Sequence, residues 1–267
     1  PLYRSLAGSD REVARKAAEL LDSFGPPTAG ERPVVVEGLS SPSADVRRAS
    51  LAILAPLTKD ADEAVVWFEP LVADTDAKIA ESALKALSRW GEAAKKALPA
   101  ATARLADPEA SVATAAVDAV KKLAPPKDAA RAFASLAANA SAPASARGVA
   151  VEALLQLDLT DAADGLAAWQ PLLKSRSPET RAAALGKLVA FKEDLKPAVP
   201  AIANLLSDPD PKVRYNAVRA VAVSGQGAEY VDKLAALLDA REPPIVAAAA
   251  VQALSLAGAP GVEPLTK

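Results

Sequence analysis

The apolar residues of this chain recur in a pattern that residues 205–221 show most clearly. A turn rich in aspartate and proline leads into an apolar series at Val213, Ala217 and Val221. Positions spaced by four residues lie on one side of an α-helix, which has about 3.6 residues per turn. The spacing therefore predicts an amphipathic helix whose buried stripe is aliphatic, small and aliphatic.

This pattern repeats along the chain at intervals of 33 or 34 residues. The anchor positions equivalent to Val213 are Val13, Val46, Ile79, Val112, Ala146, Thr180, Val213 and Val246. Four residues later stand Ala17, Ser50, Ala83, Ala116, Ala150, Ala184, Ala217 and Ala250, and eight residues later stand Leu21, Leu54, Leu87, Val120, Leu154, Leu188, Val221 and Leu254. We expect the small residue to let the helix of the next unit approach closely, because a larger side chain would overpack the seam.

A second apolar segment precedes each turn and predicts a first helix in every unit. Pro33, Pro99 and Pro200 each stand thirteen residues before their anchors, and proline is tolerated there if it opens the helix. Acidic residues in the turns favour the start of the second helix. Glycine, which suits the left-handed end of a helix, follows four anchors by twelve residues: Gly25, Gly91, Gly225 and Gly258.

The period predicts an all-α fold of about eight helix-turn-helix repeats in one solenoid over residues 1–267. The predicted repeats are 1–25, 26–58, 59–91, 92–124, 125–158, 159–192, 193–225 and 226–258, and residues 259–267 begin a further one. The last complete helix, residues 245–254, has no charged residue. We expect that further repeats or a partner contact this end, because terminal repeats need a polar outer side.

Residues 208–217 read Asp-Pro-Asp-x-x-Val-Arg-x-x-Ala, which resembles the HEAT repeat, particularly the bacterial type related to the phycobilin-lyase repeats. The resemblance implies a right-handed α-α superhelix, an armadillo-type α-solenoid whose second helices line the concave side. It also implies that an arginine after the anchor bonds neighbouring repeats. This arginine is present at Arg47, Arg147, Arg181 and Arg214, and alanine replaces it at Ala14, Ala80, Ala113 and Ala247.

The composition argues against most catalytic chemistry. The chain has no cysteine, histidine or methionine, which excludes thiolate nucleophiles, zinc-finger ligand sets and histidine acid–base catalysis. Carboxylates cluster in residues 60–63 and 74–76, where we expect solvated helix caps. The sequence predicts no enzyme, no cofactor and no metal site. Trp67, Trp90 and Trp169 are predicted to lie in the core and the seams.

The sequence predicts a scaffold that binds a protein or peptide along its concave side. The candidate partner-binding residues lie on the predicted exposed ridge of the second helices: Tyr215, Arg219, Glu152, Leu155, Arg89, Lys85 and Lys122. Ridge residues of the last four repeats, such as Ala182, are smaller and more apolar, and tyrosine and arginine are favoured in interfaces.

Two alternatives stay open at this stage. One is a solenoid that binds nucleic acid or a bilin-type cofactor, with Arg89, Lys95, Lys96, Lys121 and Lys122 as the basic cluster. The net charge of -2, from 31 basic and 33 acidic residues, weighs against nucleic acid. The other is an engineered repeat protein without a natural task. No apolar stretch is long enough to span a membrane, so we expect a soluble chain and favour the cytoplasm.

Overall fold

The computed structural model describes residues 2–6, 11–21 and 26–266, and the regular structure in these residues is helical throughout, with no β-strand. Gly25 and the side chain of Leu21 lie outside what is described. The all-α prediction is confirmed for this part of the chain. Within it, no helix combines the length and the apolar character needed to cross a membrane.

The chain forms two compact units, Pro1–Ala132 with Ala142–Ala150, and Phe133–Ser141 with Val151–Lys267. Helices of the first unit alternate between first and second helices of the repeats: α1 (Leu2–Leu6), α2 (Arg11–Leu21), α3 (Arg32–Gly38), α4 (Ala44–Leu54), α5 (Ala61–Val72), α6 (Ala77–Ser88), α7 (Leu98–Ala103) and α8 (Ala110–Leu123). Two helices contribute residues to both units: α9 (Pro126–Ala138) and α10 (Ala144–Leu155).

The second unit continues the same alternation with α11 (Ala162–Trp169), α12 (Pro178–Leu188), α13 (Val199–Ala203), α14 (Pro211–Val223), α15 (Val231–Ala235), α16 (Pro244–Leu256) and α17 (Ala259–Thr266). Several first helices continue in tighter 3₁₀ turns, such as Gln170–Lys174 and Asn204–Ser207. Consecutive second helices pack on one another within each unit, as α6 does on α8 and α14 on α16. That the two units join into one solenoid stays a prediction.

The predicted buried stripe is confirmed in both units. Every residue at the small position is buried, from Ala17 to Ala250, and Ala217 is 0% exposed. The aliphatic residues four positions further on are buried from Leu54 to Leu254. A methyl side chain at the centre of the stripe lets adjacent second helices pack at close range.

Two anchors depart from this pattern. Val13 is 48% exposed, so its prediction as a core residue is wrong; the helix that packs beside it, α1, is short and covers little surface. Thr180 is half-buried. The other anchors, including Val46, Ile79 and Val213, are fully buried.

The helix ends follow the local sequence. Proline occupies the first turn of α3, α7 and α13, as predicted. The carboxylates of Asp76 and Asp210 accept hydrogen bonds from the first backbone N–H groups of α6 and α14. Left-handed backbone occurs at Gly91, Gly225 and Gly258, with φ of 54°, 74° and 72°, so glycine is needed at these three ends.

Candidate partner-binding surface

The second helices of the second unit lie side by side and form one surface. The Nζ of Lys187 on α12 donates a hydrogen bond to the carbonyl of Leu155, at 3.1 Å. The Nδ2 of Asn216 on α14 donates to the carbonyl of Ala182 on α12, at 3.3 Å. Helix α16 packs against α14. We call the exposed sides of α12, α14 and α16 the second-helix face.

Tyr215 and Arg219, which stand one helical turn apart on α14, contact each other on this face. The guanidinium carbon of Arg219 lies 5.6 Å from the centre of the Tyr215 ring, within the range of a cation–π interaction. Tyr215 is half-buried and Arg219 is exposed. The pair therefore presents an aromatic ring and a positively charged, planar group to solvent.

An apolar depression opens beside the Tyr215 ring, between the starts of α14 and α16. It has a volume of about 420 Å³ and is lined by Pro211, Lys212, Tyr215, Asn216, Pro243 and Ile245. Ile245 is 60% exposed, which is unusual for a large aliphatic side chain. We call this feature the Tyr215 depression.

The charged side chains around the Tyr215 depression differ in whether they have a partner of opposite charge. Glu242, next to Pro243, accepts hydrogen bonds from the Nη2 and Nε of Arg214 at 2.6 Å and 3.0 Å, so its charge is compensated. Lys212 lies within the electrostatic range of Glu179. Among the described residues, Arg219 forms no ion pair. Its positive charge is therefore available to a bound molecule.

The candidates on α10 are placed differently. Glu152 is exposed and Leu155 is half-buried, and the carbonyl of Leu155 is occupied by Lys187. No contact joins either side chain to Tyr215 or Arg219 among the described residues. The structure thus brings two of these four candidates together.

In the first unit, two candidates are engaged with their own neighbours. Lys85 forms an ion pair with Glu81 one turn earlier on α6, and the Nη1 of Arg89 donates a hydrogen bond to the carbonyl of Ala55 at 3.3 Å. Lys122, near the end of α8, is exposed. In the basic cluster considered for nucleic acid, Lys96 forms an ion pair with Asp62 at 2.7 Å.

The expected arginine ladder is present at three positions and joins successive repeats. Arg47 binds both carboxylate oxygens of Asp74, at 2.7 Å and 2.8 Å. Arg181 binds Asp208 in the same bidentate way, at 2.8 Å for both bonds. Arg214 binds Glu242. Each of the three arginines also donates to a backbone carbonyl in its own turn, as Arg47 does to that of Ser41.

The remaining ladder position with arginine has a different partner. Arg147 donates a hydrogen bond to the backbone carbonyl of Ala142. At Ala80, where the arginine is missing, Asp107 of the following turn pairs instead with Arg104, at 2.9 Å. The turn carboxylate is thus compensated within its own repeat.

Two sequence-based interpretations need correction. The carboxylate of Asp74 is 5% exposed in its pair with Arg47, so its prediction as a solvated cap is wrong; Asp60 and Asp76 do cap helices. Ala182, expected on the exposed ridge, is buried because α14 packs onto it through Asn216.

The tryptophans behave as seam and core residues. Trp169 is 2% exposed, as predicted for the core. Trp67 is half-buried, and the guanidinium of Arg32 from the preceding repeat lies 5.0 Å from its ring centre. Arg32 also binds Glu63 at 3.0 Å, so this cluster ties two repeats together.

Sequence reasoning missed Ile245, Pro243 and Pro211 as parts of the surface. A signal was present: an isoleucine and three prolines stand within one residue of the predicted starts of α14 and α16. The period placed these two helix starts side by side, but it gave no reason to expect that Ile245 stays exposed between them.

The comparisons with known proteins agree with this architecture. Residues 166–255 match a family model described as HEAT repeats. The crystal structure of Kap121p has a TM-score of 0.54 and 13% sequence identity, with 96% of this chain and 33% of that chain covered. This chain therefore spans about a third of the length of Kap121p. No curated protein matches the sequence.

Two further structures are similar at lower scores. The structure in which Kap95p binds RanGDP has a TM-score of 0.49 and 16% identity, covering 96% of this chain and 44% of that chain. The complex of CpcE and CpcF of phycocyanin lyase from Nostoc sp. PCC7120 has a TM-score of 0.36 and 17% identity, covering 91% and 94%. The fold is that of a HEAT-repeat α-solenoid, and residues 166–255 carry HEAT-repeat sequence.

Proposed function

We propose that this protein is a non-catalytic binding module that holds a protein or peptide on the second-helix face of its second unit. The observation that carries the proposal is the Tyr215 depression, with the Tyr215–Arg219 pair at its side. Solenoids offer extended surfaces for binding. Buried aromatic and arginine side chains supply most of the energy in many interfaces, and a half-exposed ring beside an apolar depression is suited to that role.

The charge distribution supports a protein partner over a nucleic acid. Nucleic-acid binding depends on several cations that face the phosphates together. Lys85 and Lys96 are instead paired with carboxylates of this chain, and Arg89 contacts a backbone carbonyl. We propose that Glu152 and Leu155 extend the contact surface at its margin, where individual side chains contribute little. Lys122 lies on α8 of the first unit and is not assigned to this surface.

Affinity capture from the source lysate, with the full chain as bait, tests the function. The bait is compared with a Tyr215→Ala/Arg219→Ala variant and with a matched control, Glu193→Ala/Lys196→Ala, whose two side chains are exposed in the segment Val189–Ala198. We expect a protein that the original and the control retain and that the Tyr215/Arg219 variant loses. All three baits are checked for equal melting temperature.

A captured protein counts only after it is purified and its affinity is measured against the three baits. Retention of the same proteins by all baits, or equal affinities, would place binding elsewhere and overturn the proposal.

A further inference from the structure

We propose that the Tyr215 depression recognises a peptide segment in which an apolar residue and an aspartate or glutamate stand two positions apart. This inference rests on the proposed function and adds the chemistry of the partner. Its basis is that one aromatic ring, that of Tyr215, both lines an apolar depression and contacts an arginine that has no ion-pair partner among the described residues.

The apolar half of the motif follows from the lining of the depression. Pro211, Pro243 and Ile245 offer mainly carbon atoms, and the Tyr215 ring forms one wall. A volume of about 420 Å³ accommodates one large side chain such as leucine or phenylalanine. Covering the exposed Ile245 removes apolar surface from water, which is the favourable part of such an insertion.

The acidic residue of the motif is inferred from a difference between Arg219 and two other arginines of α12 and α14. Arg181 on α12 and Arg214 on α14 each bind a carboxylate of this chain. Arg219 lies over Tyr215 and, within the described residues, has no carboxylate partner. A stacked guanidinium keeps its planar edge free for two parallel hydrogen bonds to a carboxylate.

Lys212 is a weaker candidate for the same role and provides an internal control. It lines the depression, but Glu179 lies within electrostatic range of it. An ammonium group is also a point charge without the bidentate geometry of arginine. We therefore assign the partner's carboxylate to Arg219.

The spacing follows from the distance between the guanidinium and the ring that lines the depression. The Tyr215 ring lines the depression, and the guanidinium carbon of Arg219 is 5.6 Å from the centre of this ring. In an extended peptide each residue advances the chain by about 3.3 Å, and alternate side chains point to the same side. Residues two positions apart, roughly 7 Å along the peptide, therefore match this separation.

Selection from a library of random peptides displayed on phage tests the motif on the full chain. The Tyr215→Ala/Arg219→Ala variant serves as the counter-target that removes peptides bound elsewhere. We expect enriched peptides to carry an apolar residue and an acidic residue two positions apart. Enrichment of Tyr215-dependent peptides without an acidic residue would overturn this inference and leave the proposed function standing.

The most enriched peptide is then synthesised with a fluorescent label, and its affinity is measured by fluorescence anisotropy. We expect Arg219→Gln, or replacement of the peptide's acidic residue by its amide, to weaken binding roughly tenfold or more, and Lys212→Gln to change it by less than about threefold. Arg219→Glu combined with lysine in place of the peptide's acidic residue should restore part of the affinity.

Other outcomes would overturn either the assignment of the carboxylate or the whole inference. If Lys212→Gln costs as much as Arg219→Gln, or if the charge exchange restores nothing, the assignment of the carboxylate to Arg219 is wrong. If no peptide distinguishes the wild type from the double variant, the peptide-binding proposal and the motif both fall.

Discussion

Ser50 shows how one polar atom affects a repeat seam. It occupies the small position that is alanine in the other repeats, it is fully buried, and its hydroxyl has no hydrogen-bond partner in the described part of the chain. Gly38 opposes it, where a Cβ atom would overlap the Ser50 Oγ. A buried hydroxyl without a partner loses its hydrogen bonds to water and gains none in return.

We therefore expect Ser50→Ala to raise the free energy of unfolding by about 1 kcal/mol, measured by urea denaturation. Ser88→Ala is the matched control, because the Ser88 hydroxyl donates to the carbonyl of Lys85 at 2.9 Å and its removal should not stabilise. An unchanged or lower stability of Ser50→Ala would show that its hydroxyl is satisfied in solution.

Lys192 carries backbone strain in the link after α12. Its φ of 48° and ψ of -118° lie in a region that glycine adopts readily and other residues rarely. We expect Lys192→Gly to stabilise the protein by about 1 kcal/mol, since relieved strain exceeds the entropy that glycine adds to the unfolded chain. Lys196→Gly, at a residue without positive φ, should destabilise it; equal effects in chemical denaturation would contradict the assignment of strain.

The contact between adjacent second helices depends on the methyl group at the small position. Ala217 on α14 is fully buried, so a larger side chain must push neighbouring helices apart. We expect Ala217→Leu to lower the free energy of unfolding by roughly 1–3 kcal/mol. Ala52→Leu is the control, because Ala52 is exposed on α4 and should tolerate leucine. An unchanged melting temperature for Ala217→Leu would place Ala217 outside the seam.

Ion pairs between repeats are expected to contribute differently to the free energy of unfolding, depending on how far their side chains are buried. The side chains of Arg181 and Asp208 are 13% and 4% exposed, whereas those of Lys96 and Asp62 are 70% and 78% exposed. Removing one partner of a buried pair leaves the other charge uncompensated. Exposed pairs contribute little.

We expect Asp208→Asn to lower the free energy of unfolding by about 2–4 kcal/mol and Asp62→Asn to cause no measurable change, both followed by urea denaturation. The two substitutions are chemically identical and both break a bond between repeats. Equal losses would mean that burial does not decide the strength of these bonds.

At the scale of the whole molecule, the ladder couples stability to pH. Burial by itself would raise the pKa of Asp74 and of Asp208, but hydrogen bonds from Arg47 and Arg181 and from backbone N–H groups outweigh it. Both pKa values therefore lie below the ordinary value of 3.8. As the pH falls below about 4, the unfolded chain takes up protons before the folded chain does, so these groups stabilise the fold less.

The expected result is a free energy of unfolding that falls between roughly pH 5 and pH 3, with a smaller fall in an Asp74→Asn/Asp208→Asn variant. At neutral pH the contribution of both carboxylates is fully present. Urea titrations over this range provide the measurement, and parallel pH profiles for the two proteins would contradict the link to these aspartates.

Much of the architecture could be predicted from the sequence because it depends on local rules. Helical periodicity placed Ala217 and Leu254 in the core, and the need for positive φ placed Gly225 and Gly258 at helix ends. The candidate surface was only partly predictable. Tyr215 and Arg219 share one helix, so their meeting follows from their spacing, whereas the depression needs Ile245 from another helix.

The sequence by itself determined the repeat, the buried side of each second helix and the ends of the helices, because each depends on residues within a few turns of one another. The tertiary structure decided which charged groups are buried and which are free. Asp74 lies in a turn and Asp62 in the first turn of α5, and both pair with a cation of a neighbouring repeat, yet of the two only Asp74 is enclosed by that repeat. Arg214 pairs with Glu242 of the next repeat, whereas Arg219 has no ion-pair partner among the described residues. This difference depends on the tertiary structure, because the distance between side chains of different repeats is set by how their helices pack.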